Sequence, residues 1–215
     1  MTERLICIII GYICGLFQTS YIYGRMHGID IREYGSGNAG TTNALRTLGP
    51  KAGLATFAGD TLKCIVAVVI VKLVFRNSGA EILPLLGLYA AAGTILGHNF
   101  PFYLKFRGGK GIAATAGMVL SFNAVITGIC AVVFLSAFLL TNYVSLGSLL
   151  VYVAFVVSTV VMGQLGCFGM EQVHLNEMYI LAIALAALAF WKHRANIGRL
   201  LHGTENKTHL GKKKE

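Results

Sequence analysis

IAATAGMVLSFNAVITGICAVVFLSAFLLT, residues 112–141, is the stretch whose reading decides how often this chain crosses a membrane. A span needs roughly 20 apolar residues, so the run is long for one crossing and short for two. Basic residues settle the choice, because Lys and Arg collect in the short cytoplasmic loops of membrane proteins. One basic loop, Gly97–Gly111, lies just upstream, and a basic tail runs from Lys192 through Lys212-Lys213-Lys214. For both to lie on one face, an even number of spans must separate them. Two clear apolar runs follow, Val144–Met162 and the shorter Glu177–Trp191. Counting 112–141 once gives three spans. Dividing it near Ser121-Phe122-Asn123 gives four, with Ile112–Leu120 as a short, glycine-containing helix of half depth.

Upstream, Leu5–Tyr23 reads as the first span and is long enough to stay as one, with no separate signal peptide. Arg25, Arg32, Arg46 and Lys51 make a first basic loop. Ala52–Phe75 is the second span, Arg76-Asn77-Ser78-Gly79 a tight connection and Ile82–Leu96 the third span. The expected fold is an all-α polytopic membrane protein with seven transmembrane helices, N-terminus outside and C-terminus cytoplasmic. Residues 1–215 are expected to form one integral-membrane domain, with no soluble domain recognisable in the sequence. Lys72 and Arg76 fall on the outer side and run against the scheme, which is statistical. Composition agrees with a membrane protein: 55% hydrophobic, 13% charged and a mean hydropathy of +0.68, against about 25% charge in soluble domains. The net charge of +9 sits in loops and tail, so it marks topology and not nucleic acid. Cys7, Cys14, Cys64, Cys130 and Cys167 have no metal-ligand spacing and read as unpaired. Acids are too few for a clustered carboxylate site for Mg²⁺ or Zn²⁺, so no metal or cofactor is expected. Asp60 and Lys63, an i,i+3 pair inside the second span, are either partners of each other or functional.

Three polar stretches carry the chemistry. Gly35–Gly49 packs four glycines with Ser36, Asn38, Thr41, Thr42, Asn43 and Arg46, an inventory suited to an oxyanion; it equally suits a loop whose hydroxyls and amides cap the next helix. Phe106–Ala113 places Arg107, Gly108, Gly109, Lys110 and Gly111 at a helix N-terminus, where free N–H groups, the helix dipole and a cation converge on an anion. It is not a Walker A loop, since Gly111 stands where Ser or Thr belongs. The alternative is a basic juxtamembrane turn. Just before it, His98 and Asn99 read as ligands or as helix-end caps. In Trp191–Glu205, His193, Asn196 and Arg199 recur at helical spacing; an interfacial helix with a Trp anchor explains Trp191, Lys192 and Arg194 but does not require Asn196 or Glu205.

Together the three stretches resemble the bacterial acyl-phosphate:glycerol-3-phosphate acyltransferases, the PlsY family. The pattern G-S-G-N-x-G-x-T-N-x-x-R-x-x-G is met at Gly35–Gly49, G-H-x-F-P…G-G-K-G at Gly97–Gly111 and H-R-x-N-I-x-R-L-x-x-G-T-E at His193–Glu205. Ala39 and Ala116 depart from the usual pattern without touching a charged position. The resemblance implies transfer of a fatty acyl group from acyl-phosphate to glycerol 3-phosphate, giving lysophosphatidate at the bacterial inner membrane without CoA. Ser36, Arg46, Lys110, His193 and Asn196 are then the catalytic candidates. Gly37, Asn38, Thr42, Asn43, His98, Arg107, Gly108, Gly109, Gly111 and Glu205 would bind substrate or phosphate, which loop holds which phosphate being open. His193 and Asn196 would orient the glycerol, and Glu205 would tie down the tail. The hydroxyl proton would pass to the acyl-phosphate's own oxygen, with His193 as the alternative base. A transporter of small phosphorylated anions is the competing class, disfavoured because the basic groups lie on one face and no inverted repeat is evident. A CDP-alcohol phosphotransferase would need an aspartate cluster that this chain lacks.

Overall fold

In the computed structural model, which describes residues 1–208, the 112–141 run is divided at Asn123. In chain order the helices are α1 (Thr2–Gly15), α2 (Thr19–Met26), α3 (Thr41–Leu48), α4 (Pro50–Val74), α5 (Leu83–Asn99), α6 (Ile112–Phe122), α7 (Ala124–Thr141), α8 (Val144–Gln164), α9 (Gln172–Lys192) and α10 (Arg194–Leu201). Asn123 is extended, and its Oδ1 accepts from the amides of Val125 at 2.9 Å and Ile126 at 3.2 Å. That N-cap starts α7 where α6 stops. At a 1.5 Å rise, the 11 residues of α6 reach about 16 Å, roughly half the hydrocarbon core. Among the described residues, five segments are long and apolar enough to cross a membrane: Thr2–Met26, Pro50–Val74, Ala124–Thr141, Val144–Gln164 and Gln172–Lys192. The 17 residues of α5 and the 11 of α6 fall short of that length. The tail lysines Lys212-Lys213-Lys214 lie outside the described residues.

The first span differs from expectation. Leu5–Tyr23 is broken at Leu16–Gln18 into α1 and α2. Side chains take up the carbonyls that the break releases. Gln18 Nε2 donates to Gly15 O at 3.2 Å, Lys63 Nζ to Phe17 O at 2.6 Å and Tyr103 Oη to Leu16 O at 2.7 Å. In lipid a broken helix persists only where such partners exist.

Helices α1 and α5 pack backbone to backbone. A Cβ on Gly93 would sit 2.9 Å from the Tyr12 amide nitrogen, and one on Gly97 3.0 Å from Gly15 Cα. Small residues permit this approach, the usual device where lipid offers no hydrophobic drive for helix association. At the far end, Arg4 grips Glu177 with Nε at 2.5 Å and Nη2 at 2.7 Å, and Tyr89 Oη adds a bond of 2.7 Å to the same carboxylate. This ties α1, α9 and α5 together at the end opposite the polar loops. The core around α5 holds Leu85, Leu86, Leu88 and Ile95 with Met118, Ile126, Tyr152 and Phe155. All five cysteines are free, as read from the sequence.

Candidate active site

The first loop is shaped from within by Asn43, which is 2% exposed. Its Oδ1 accepts from the Ser36 amide at 2.8 Å, and its Nδ2 donates to the carbonyls of Ile31 and Tyr34, both at 3.0 Å. The amide expected on substrate is therefore committed to the loop backbone. Gly35 and Gly37, at φ +59° and +68°, make the turn. Ser36 lies exposed on it, while Asn38 and Thr42 are half-buried. Asp30 Oδ1 accepts from the Arg32 amide at 3.0 Å, and Arg32 Nη1 reaches the Leu104 carbonyl at 3.1 Å, tying the first loop to the second. Arg46, in the last turn of α3, donates through Nη2 to Thr208 Oγ1 at 2.9 Å and Asn206 O at 3.2 Å.

The second loop corrects the expected phosphate cradle. The Gly108 amide donates to Asn99 O at 3.3 Å and the Gly109 amide to His98 O at 3.1 Å, so neither is free for a ligand. Gly109 is small for another reason as well: a Cβ there would stand 2.5 Å from Ala39 O and would press on the His98 ring. The obstacle is protein and not substrate. His98 and Asn99 lie inside the last turn of α5, 3% and 0% exposed, and do not cap it from outside. His98 Nδ1 is 2.9 Å from Lys63 Nζ. Arg107 is exposed, and with Tyr21, Arg32, Gly37, Tyr103 and Lys105 it borders a separate cavity of about 360 Å³.

Lys110 leads into the third stretch. Its Nζ donates to Asn196 Oδ1. Asn196 Nδ2 in turn donates to Glu205 Oε1 at 2.7 Å, Ser145 Oγ to the same oxygen at 3.0 Å, and Arg199 Nε to Oε2 at 2.6 Å. Burial raises the Glu205 carboxyl, but the donors Asn196, Arg199 and Ser145 outweigh it and hold the group below the usual range. Burial, followed by repulsion from Arg199, pushes Lys110 down to about 8, with Lys192 and Arg46 adding to it against the pull of Glu205. Burial also lowers Arg46, opposed by Glu205 and reinforced by Arg199. Mutually repelling cations around one already engaged carboxylate leave a local excess of positive charge, which suits an anion. His193, 3% exposed, places Nδ1 2.8 Å from Ala189 O. Nδ1 therefore carries the hydrogen, and Nε2 is left as an acceptor. Burial is the main cause that drives this imidazole down to about 4.

The structure thus brings Arg46, Lys110, His193, Asn196 and Glu205 together, with Arg199 and Ser145 as additions. Arg199 was visible in the helical spacing; Ser145, one serine at the start of an apolar run, carried no signal. Among the described residues no three of His, Cys, Asp and Glu gather as a metal site.

A helical membrane protein whose inter-helix loops gather a cluster of cations is the class this geometry defines. The chain belongs to the glycerol-3-phosphate acyltransferase family, whose pattern matches residues 5–203. It is similar to the glycerol-3-phosphate acyltransferase of Clostridioides difficile (strain 630), 44% identical over 214 residues that cover 98% of this chain and 97% of that one. The protein of the same name from Thermoanaerobacter sp. (strain X514) is 42% identical over 208 residues, covering 96% of each. Among solved structures, the crystal structure of PlsY (YgiH), an integral membrane glycerol 3-phosphate acyltransferase, in its glycerol 3-phosphate form matches with a TM-score of 0.80 and 32% identity, covering 96% of each chain. The lysophosphatidic acid form matches at 0.77 and 31%, covering 96% of this chain and 95% of that one.

Proposed function

We propose that this chain transfers a fatty acyl group from acyl-phosphate to glycerol 3-phosphate on the cytoplasmic face of a bacterial inner membrane, releasing lysophosphatidate and inorganic phosphate. The observation that carries the proposal is the hydrogen-bonded chain Lys110–Asn196–Glu205, which joins the second and third loops beside Arg46 and Arg199. Both substrates are phosphate anions with an apolar or membrane-bound destination, and a cationic site at the ends of membrane helices suits them. In the reaction the glycerol oxygen bonds to the acyl carbon, the bond from that carbon to the phosphate oxygen breaks, and phosphate leaves. The leaving group is good because the donor is a mixed anhydride. Lys110, Arg46 and Arg199 would hold the two phosphates in line and offset charge as it gathers on the leaving oxygens. Asn196 and His193 Nε2 would orient the attacking hydroxyl. With His193 held near 4, its imidazole is a poor base, and a phosphate oxygen of the donor is better matched to take the proton. Ser36, exposed on the first loop, would contact one of the two phosphates.

The same proposal takes α1–α2, α4, α5, α6, α7, α8 and α9 as seven crossings, with the N-terminus outside and the polar loops cytoplasmic. Cysteine labelling in a cysteine-free background tests it: positions 40, 107 and 205 should react from the cytoplasm and position 77 from outside, and opposite sides for 107 and 205 would refute it. The activity test is purified protein in detergent with acyl-phosphate and glycerol 3-phosphate. Phosphate release that requires both substrates, and no turnover with acyl-CoA, is the expected result; turnover with acyl-CoA alone would overturn the donor assignment.

A further inference from the structure

Behind the loops lies a buried ionic cluster that the reaction above does not use. Asp60 and Lys63 of α4 are 1% and 7% exposed. Lys63 Nζ has three acceptors around it: Asp60 Oδ1 at 2.9 Å, Phe17 O at 2.6 Å and His98 Nδ1 at 2.9 Å. Three acceptors match the three N–H bonds of an ammonium, which donates and never accepts. His98 Nδ1 must therefore be the bare nitrogen, and Nε2 carries the ring hydrogen. That side of the ring faces Gly109, next to the Ala39 carbonyl of the first loop. The backbone of His98 grips the same glycine, since its carbonyl accepts the Gly109 amide at 3.1 Å and is braced from behind by Gln18 Nε2 at 3.2 Å. Gly109 directly precedes Lys110. Asp60 Oδ1 also accepts from Thr19 Oγ1 at 3.0 Å, so the cluster is anchored on α2 as well as on α4.

We infer that Lys63, held by Asp60, is a positioning residue for acyl transfer: it fixes the ring of His98, and through His98 sets Gly109 and Lys110 against the first loop. The inference rests on the proposed reaction for its kinetic consequences and on geometry alone for the state of His98. A surface turn needs no buried charge beneath it, and an unpaired ion in lipid is strongly disfavoured. What the cluster adds is a rigid donor to a ring that would otherwise be free to rotate or exchange its hydrogen. Small displacements of a reacting group cost rate steeply, about 100-fold for an ångström.

Lys63→Met alone would leave Asp60 buried and unpaired, so the informative variant is Asp60→Asn/Lys63→Met, which removes both charges together and spares the fold that penalty. In proteoliposomes it should stay folded, melting below the parent because Phe17 O loses its donor, yet lose about 10- to 100-fold in kcat/KM for glycerol 3-phosphate. Adding His98→Gln should cost little more than His98→Gln does by itself, because residues acting as one unit are not additive. In parent protein labelled with ¹⁵N-histidine, with His98→Gln identifying the signal, solid-state NMR should find the hydrogen on Nε2, and the double variant should lose that single state. Unchanged kcat/KM in the folded double variant would overturn the inference. So would losses that multiply when His98→Gln is added, or a hydrogen on Nδ1 in the parent. A parent that fails to acylate glycerol 3-phosphate would instead defeat the proposed reaction, while the NMR result would still decide the state of His98.

Discussion

Replacing Lys110 with methionine keeps the length of the side chain and removes its charge. Asn196 Oδ1 loses its donor, while the Asn196–Glu205 bond of 2.7 Å stays in place, so the fold should survive. A half-buried ammonium in contact with phosphate contributes about 1.5–3 kcal/mol, which corresponds to roughly 10- to 150-fold in kcat/KM. Acidity gives a second, sharper signature. Burial and the neighbouring guanidinium of Arg199 bring Lys110 down to about 8 in the free protein. The contact needs the protonated form, which predominates below that value and is lost as pH rises through it. The profile of kcat/KM, which reports the free enzyme, should therefore fall above about pH 8. Bound phosphate favours the ammonium, so the corresponding limb in kcat should shift to higher pH. Phosphate release at limiting glycerol 3-phosphate, followed from about pH 6 to 9.5, reads both limbs. Lys110→Met should abolish this limb, and Lys110→Arg should move it out of range, since a guanidinium does not titrate there. A profile that stays flat through about pH 9 in the parent, or Lys110→Met with parental kcat/KM, would refute the role of this side chain.

Gly109→Ala should lower the melting temperature as well as activity, because its methyl group meets the Ala39 carbonyl and the His98 ring; a loss of activity with unchanged melting would mean the group meets substrate instead. Asn43→Ala strands the Ser36 amide, worth about 1–3 kcal/mol when left unsatisfied, and takes one of two donors from the Ile31 and Tyr34 carbonyls, so thermal melting in detergent should drop by several degrees and acyl transfer with it. Glu205→Gln keeps the shape but removes the charge facing Arg199. It should loosen the tail, seen as faster proteolysis near residues 203–208, and raise the KM for one substrate; unaltered proteolysis would refute its role as the tail's anchor.

Much of this was legible in the chain because the signals were local. The division at Asn123 followed from the length of 112–141 and the parity of basic clusters, and an asparagine followed by an apolar run is the chemistry of an N-cap. Apart from Ser145, the residues that converge on Glu205 were visible as short motifs. The kink at Leu16–Gln18 was not, because what stabilises it comes from elsewhere in the chain: Lys63, Tyr103 and the carbonyls of Gly97 and His98. The bonded amides of Gly108 and Gly109 were hidden for the same reason, since a glycine's partners leave no mark on its neighbours in sequence. Asn43 read as a ligand because an amide suits a phosphate and a backbone equally well, and only the fold distinguishes the two.

The kink also has a history in time. Phe17 O waits for a lysine 46 residues further along the chain, and Gln18 reaches a carbonyl 80 residues away. At a synthesis rate of 5–20 residues per second, those partners emerge about 2–9 s and 4–16 s later. A released carbonyl in hydrocarbon costs several kcal/mol over that interval. The nascent Thr2–Met26 segment should therefore enter the bilayer as one unbroken helix and bend only when α4 and α5 arrive beside it, making the kink a product of assembly.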